Sequence, residues 1–440
     1  MLKYLNCEQL KENNYIKAQK GKVGKVDALA FDFIGGQDVM PIGGWWGPYQ
    51  PKKPVCDLSD ISFYQKIKDA GVNFIVVSPD DYSENPQAAL KGYKNATETG
   101  LGFFAHDTKI KEIDNPEELR QRLEEYDHFA GCLGYHLQDE PAPGEINQLK
   151  KHFDVYEQVG FDKPLYVNLY AASHHGYFGS DGEANGFAEY LEEFFENTQP
   201  KFLSNDFYPF SFKDEGTNTA KCYFKSLSLT RKHAKMHNVP YWFFIQTGWW
   251  LLGGETEADR WPTKAELFWN VNTCLAFGAK AIQYFTLIEP EEFTVKDGVV
   301  DYRKIGLIGF DGKENQWYPY VKKMNAHIAA IDHVLMNSEH DGVIGVGKWS
   351  ENWLGEEKLT AYKELIGVSG GDAIIGCFNY QGRTALYIVS NSTTNESTVT
   401  LTFDCVRGFE IIDDGNASEL VSQQPSFVLE AGEGILLLLK

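Results

Sequence analysis

Positive charge is scarce in this 440-residue chain: 41 lysines and arginines stand against 62 acidic residues, a formal charge of −21. Such a surplus of negative charge opposes binding to phosphate backbones and to anionic membranes, so neither nucleic acid nor a membrane surface is an expected partner. Paired cysteines are also lacking. The seven present (Cys7, Cys56, Cys132, Cys222, Cys274, Cys377 and Cys405) are scattered, with no CxxC spacing and an odd total. That excludes a disulfide scaffold and a zinc cluster and fits a reducing compartment. No apolar run reaches membrane-span length, and the opening "MLKYLNCEQLKENNYIKAQ" has neither the apolar stretch nor the cleavage site of an export signal. A cytoplasmic protein is the expectation. His106 and His136 stand alone without metal-ligand spacing, so no metal and no cofactor is expected. The pattern carries no signal of oligomeric state.

Hydrophobic residues, at 43%, are plentiful enough for a large core, and the length suits one large domain with a smaller one beside it. Through the first three quarters, short β-rich runs alternate with amphipathic helical stretches. Eight strands are predicted, at residues 41–46, 72–77, 101–106, 131–137, 164–170, 201–206, 240–246 and 281–287. Helix starts are readable between them. Asp114, Asn115 and Pro116 suit a cap and first turn, and Thr263 with Glu266 forms a capping box. Ile146, Leu149, Phe153 and Tyr156 keep one face of the intervening helix apolar. Eight βα units at this spacing predict a (β/α)8 barrel over residues 1–338, with an open doubly wound sheet as the alternative. Its last helix is expected to end near Leu335. Residues 339–440 read as a small antiparallel β-sandwich, with strands in "AIIGCFNY", "TALYIVSNS", "STVTLTFD", "GFEIIDD" and "SFVLEAGEGILLLL".

In such a barrel the reacting groups sit at the C-terminal strand ends, where the βα loops converge. Two adjacent acids, Asp139 and Glu140, follow the fourth strand in "GYHLQDEP". Polar and aromatic residues occupy equivalent places elsewhere. Trp45 and Trp46 close the first strand and His106 ends the third. Asn168 and Tyr170 lie at the fifth, Asp206 and Tyr208 after the sixth. Gln246 ends the seventh, with Trp249 and Trp250 just beyond, and Tyr284 lies on the eighth. Carboxylates, amides and indoles around one cleft suit a sugar, which offers hydroxyls to polar groups and an apolar face for stacking. Glu289, Glu291 and Glu292 on the eighth loop read more simply as a solvated acidic loop. An Asp-Glu pair before proline also suits a plain helix N-terminus, where acids complement the helix dipole.

Taken together, "GYHLQDEP", "YVNLY", "SNDFYPF", "RWPTKAELFWNVNTCLAFGAKAIQYFT", "GLIGFDGKENQWYPYVKKMNAHI" and the "AGEGILLL" ending resemble bacterial glycoside-hydrolase barrels related to family 42 and the wider retaining-glycosidase clan. The resemblance spans almost the whole chain and implies a glycoside or oligosaccharide substrate, with Glu140 as general acid. The clan's nucleophilic Glu after strand seven is replaced here by Gln246, and the Asn that commonly precedes the acid is replaced by Asp139. An adjacent Asp-Glu pair is similar to that of the hexosaminidases of families 20 and 123. In them the substrate's own N-acetyl group attacks, the Asp orients it and the Glu protonates the leaving group. Three readings stay open at this point: substrate-assisted N-acetylhexosaminidase, hydrolase with Asp206 or a loop-eight glutamate as second carboxylate, and glycan-binding barrel that does not cleave.

Overall fold

The computed structural model describes residues 38–52, 56–172, 175–178, 186–210, 217–251, 261–290, 295–296, 299–300, 302–348, 350, 358–413 and 416–440. Within these, residues 175–176, 217–221, 249–251, 295–296, 299–300, 302–304 and 416 are described by backbone alone.

Eight parallel strands form the first layer: β1 (Ile42–Gly44), β2 (Phe74–Ile75), β3 (Gly102–His106), β4 (Cys132–Asp139), β5 (Leu165–Leu169), β6 (Leu203–Asn205), β7 (Tyr241–Gln246) and β8 (Ala281–Phe285). Seven of the eight predicted segments hold their strand whole, and β4 runs two residues past the fourth segment to Asp139. Their order is β1-β8-β7-β6-β5-β4-β3-β2. The two ends meet through Asn73 N–H to the Ile42 carbonyl (2.7 Å) and Val76 N–H to the Gly44 carbonyl (2.9 Å), which closes a (β/α)8 barrel.

Alternation along each strand sorts the side chains. Trp242 and Phe244 of β7 point into the lumen with Phe74, Phe104, Tyr166 and Phe202, while Tyr241, Phe243 and Ile245 pack outward beneath the helices. The Phe202 and Trp242 rings stack with centroids 3.9 Å apart. The interior is therefore packed, and the concave surface lies at the strand ends.

Helices α1 (Ile61–Asp69), α2 (Pro86–Thr99), α3 (Pro116–Asp127), α4 (Ile146–Val159), α5 (Phe187–Asn197), α6 (Thr217–Met236), α7 (Lys264–Ala276) and α8 (Tyr318–Met336) lie among the strands along the chain. Their starts follow local chemistry. The Asn115 side chain accepts from the N–H groups of Glu117 and Glu118 ahead of Pro116. Thr263 and Glu266 form the reciprocal capping box. Every residue of α7 from Glu266 to Ala276 is buried, because the helix is sandwiched between the barrel and the C-terminal sheets.

Those sheets are antiparallel for the most part, one of seven strands and one of three, around a separate core that includes Leu365, Ile375, Leu386, Leu401 and Leu437. Ser338–Val346, Leu365–Gly370 and Asn416–Ser422 join them as strands that the sequence pattern did not reveal. The first is unusually polar because His340 faces the barrel, where Arg231 of α6 donates to its carbonyl (2.7 Å). Further bonds run from Trp269 Nε1 to Asn391 Oδ1 (2.8 Å) and from Asn272 Nδ2 to the Gly432 carbonyl (2.8 Å). The domain thus packs on the outer helices α6–α8. Among the described residues the cysteines are free, and no helix is long and apolar enough to cross a membrane.

Candidate active site

Strand β4 ends irregularly. Its register against β5 shifts between His136 and Gln138, a bulge, and Asp139 then pairs with Asn168. Glu140 leaves the strand with φ +43°, held there by its N–H bond to the Asn168 carbonyl (2.8 Å). A left-handed conformation is uncommon for a residue with a side chain and marks a backbone fixed by its surroundings. Its effect is to bring the Glu140 carboxyl to the same side as Asp139, against Asp206 from the loop after β6.

Asn168 ties the group together. Its Nδ2 lies 3.3 Å from both Asp139 Oδ1 and Asp206 Oδ2, while its Oδ1 accepts from Ser204 Oγ (3.0 Å). Ser204 Oγ accepts in turn from Gln283 Nε2 (3.0 Å), and Gln283 Oε1 from the Tyr166 hydroxyl (2.6 Å). A chain of buried bonds across β5, β6 and β8 therefore fixes which way the Asn168 amide faces: its N–H groups toward the acids.

The acids themselves are held at high proton affinity. Asp139 is open to solvent yet ringed by protein, and desolvation pushes it up to about 6, against the Asn168 bond that lowers it. Asp206 is 4% exposed and also raised, by desolvation first and then by the Asp139 charge. Glu140 is raised further, by desolvation, by the charges of Asp206 and Asp139, and by a hydrogen bond to Asp206. Like charges crowded into one desolvated site oppose full ionisation, so each of the three carboxyls is pushed toward its protonated form. The three do not converge as a metal cage: among the described residues no cluster of three or more acidic, histidine or cysteine side chains is arranged to hold a metal ion.

Aromatic rings flank the acids. Half-buried Trp46 packs against Phe285 (centroids 5.8 Å), which packs against Tyr208 (5.3 Å), and the Tyr208 hydroxyl leans toward Asp206. Tyr170, at the end of β5, senses both Glu140 and Asp139 and lies 5.3 Å from exposed Tyr177. Beneath this rim Trp45 is buried edge-on to His136 (5.2 Å), so it forms floor rather than wall. His106 places Nδ1 2.8 Å from the Ser78 carbonyl, and desolvation lowers its proton affinity. The neutral ring then donates from Nδ1 and keeps Nε2 as an acceptor.

Two expected binding residues do not face the cleft. Tyr284 is completely buried and points outward, donating its hydroxyl to Asn325 Oδ1 of α8 (2.6 Å). Strand alternation puts Gln283 and Phe285 on the inner side instead. Gln246 is completely buried as well. Its amide donates to the carbonyls of Phe210 (2.9 Å) and Gly248 (3.2 Å) and accepts from Phe210 N–H (3.0 Å), so it joins two loops and has nothing left for a ligand. The side chains of Trp249 and Trp250 lie outside the described residues, as do Glu291 and Glu292. Glu289 is described, and its carboxylate accepts from Phe310 N–H (2.9 Å).

Several residues that shape the site were not singled out in the sequence. Ser204, Gln283 and Tyr166 orient Asn168, and the signal available was strand parity. His136, below the acids, buries Nε2 with no partner among the described residues. Asp80, in the loop after β2, accepts from Gln50 N–H (2.9 Å) and is pushed up to about 6 by desolvation.

No protein-family model matches the chain, and no curated protein does. Solved structures that it resembles include a family 27 β-L-arabinopyranosidase from Geobacillus stearothermophilus in complex with arabinose, at 12% identity over 91% of this chain and 97% of that one, TM-score 0.49. A β-galactosidase from the psychrophilic Marinomonas ef1 aligns at 11% identity over 72% of this chain and 64% of that one, TM-score 0.48. A family 51 α-L-arabinofuranosidase from Bifidobacterium longum aligns at 11% over 91% and 97%, TM-score 0.45.

Proposed function

We propose that this chain is a glycoside hydrolase in which Glu140 is the general acid. The observation that carries the reading is the pair at the end of β4, Glu140 turned by its φ of +43° beside the solvent-open Asp139 and next to the ring row Trp46, Phe285 and Tyr208. Cleavage of a glycosidic bond needs a proton for the departing oxygen and a negative group near the anomeric carbon as positive charge develops there. Glu140 supplies the first and Asp139 the second. Indole and phenol rings take the apolar face of a sugar.

Asp206 does not suit the part of second catalytic carboxylate. A second catalytic carboxyl must reach the sugar, whether about 5 Å from the first in retaining enzymes or about 6.5–9.5 Å in inverting ones, whereas Asp206 is 4% exposed with its Oδ2 engaged by the Asn168 amide (3.3 Å). Gln246 cannot form a glycosyl ester, and its amide is already engaged. Both observations favour the substrate-assisted route on a 2-acetamido sugar. The acetamido oxygen attacks the anomeric carbon as the glycosidic C–O bond breaks, and the Glu140 proton passes to the departing oxygen. Asp139 accepts the acetamido N–H and steadies the cationic ring that forms. Water then adds to the anomeric carbon as its bond to the acetamido oxygen breaks, which restores the acetamide, and the water's proton returns to Glu140. The rival is a barrel that holds a glycan without cleaving it, favoured by the absence of an acid at the end of β7.

A panel of chromogenic glycosides, with and without a 2-acetamido group, tests the reading. Turnover of the acetamido members is expected. Glu140→Gln should then lower kcat/KM by about 10²–10⁴ on poor leaving groups and much less on activated aryl groups, which depart unaided. Unchanged turnover in that variant would remove Glu140 from the mechanism. Binding without cleavage across the panel would favour the rival.

A further inference from the structure

We propose that Asp206 is a positioning residue that keeps Glu140 in its acid form from behind, without itself touching the sugar. The inference rests on the reading of Glu140 as general acid and begins from the hydrogen-bond accounting of one buried carboxyl group.

Asp206 is 4% exposed, too enclosed to meet a substrate. Its Oδ2 takes the Asn168 amide at 3.3 Å, and the Tyr208 hydroxyl leans toward the group. Its Oδ1 is buried with no N–H or hydroxyl donor in bonding geometry among the described residues. A buried acceptor without a donor is costly to leave unmade. Glu140 is tied by its N–H to the carbonyl of the same Asn168 (2.8 Å) whose amide holds Asp206 (3.3 Å), and a protonated Glu140 is the donor placed to fill the gap.

The rest of the surroundings agree. Asp139 faces Glu140 from its own strand, Asn168 and Tyr170 from β5, Asp206 and Tyr208 from the loop after β6, and Tyr190 from α5. None of these is a cation. Ser204 holds the Asn168 amide so that its donors serve Asp139 and Asp206, leaving Glu140 with Asp206. The same contact acts in both halves of the reaction. Before cleavage it keeps a proton on Glu140 at neutral pH. After that proton has gone to the departing oxygen, Glu140 is an anion beside two carboxylates and a strong base for the incoming water, from which it recovers the proton.

Carbon-13 NMR of protein labelled at the glutamate side-chain carboxyl tests this without a substrate, with the Glu140 resonance assigned by its loss in Glu140→Gln. In the unaltered protein the Glu140 signal should stay that of a carboxylic acid through pH 7. In Asp206→Asn it should ionise at least one pH unit lower, and the basic limb of kcat/KM should fall by the same amount. An unmoved titration in folded Asp206→Asn overturns the proposal. So does a Glu140 signal already ionised at pH 5 in the unaltered protein, a result that does not depend on the variant folding. Normal turnover by Glu140→Gln, with the titrations as expected, would instead sink the hydrolase reading and leave the contact standing.

Discussion

Asp139→Asn should make the protein more stable, and the gain should depend on pH. The folded state holds the Asp139 proton more tightly than the unfolded chain does, about 6 against the ordinary 3.8. A carboxyl raised on folding contributes stability below the unfolded value, and that contribution is lost as pH rises through the folded value. Undiscounted, a shift of that size corresponds to about 3 kcal/mol at pH 7 and above. Because water reaches the group, solvent screening reduces the figure, and about 1 kcal/mol is expected. Asparagine is nearly isosteric and keeps an oxygen for the Asn168 amide, so the contact at 3.3 Å survives while the charge goes. Urea unfolding of both proteins at pH 4 and pH 8, with equal slopes, isolates the effect. The variant should match the parent at pH 4 and exceed it at pH 8. A loss of stability at pH 8 would mean that the Asp139 charge is satisfied in the fold, and the picture of a strained acidic cluster would be wrong.

Two further substitutions separate wall from scaffold. Trp46→Ala should raise KM about 3- to 10-fold with a smaller change in kcat, the loss expected of one ring contact of roughly 0.5–1.5 kcal/mol made equally in ground and transition states; unchanged kinetics with a lower melting temperature would return Trp46 to packing. Gln246→Leu strips partners from Phe210 N–H and from two carbonyls, so it should destabilise by about 3 kcal/mol in urea unfolding while the folded fraction keeps its KM. A raised KM at unchanged stability would put Gln246 back in the cleft.

The barrel was legible because its strands are buried on both faces and read as short continuous apolar runs, as in "YWFFIQ" and "AIQYF". Helix starts were legible because caps are local chemistry. Ser338–Val346 was not, since its pattern answers to partners such as Arg231 that lie over a hundred residues away. The site divides in the same way. That Asp139, Glu140, Asn168 and Asp206 stand at strand ends follows from strand spacing. Tyr284 misled because its residue type was weighed and its parity was not: in β8 the inward positions belong to Gln283 and Phe285. Gln246 obeys parity, following Trp242 and Phe244, and still does no more than join loops, because its fate depends on the backbone at Phe210 and Gly248.

Neighbouring residues on a strand point to opposite faces, so two adjacent acids should not share one site. Here two local departures bring them together. The bulge between His136 and Gln138 resets the phase of β4, and the positive φ of Glu140 turns its side chain back toward Asp139. Such a backbone conformation costs on the order of 1–3 kcal/mol and persists where the surroundings fix it from several sides. Two hydrogen bonds do so, against the extended conformation that Pro141 favours in the residue before it. The Glu140 N–H is bonded to the Asn168 carbonyl, and the Tyr190 hydroxyl donates to the Pro141 carbonyl (2.7 Å). Asn168 therefore works twice, its backbone holding the Glu140 main chain and its amide holding Asp139 and Asp206. The Pro141 carbonyl belongs to the machinery that keeps the two acids on one side, and a simple helix N-terminus would require neither the bulge nor the reversed φ.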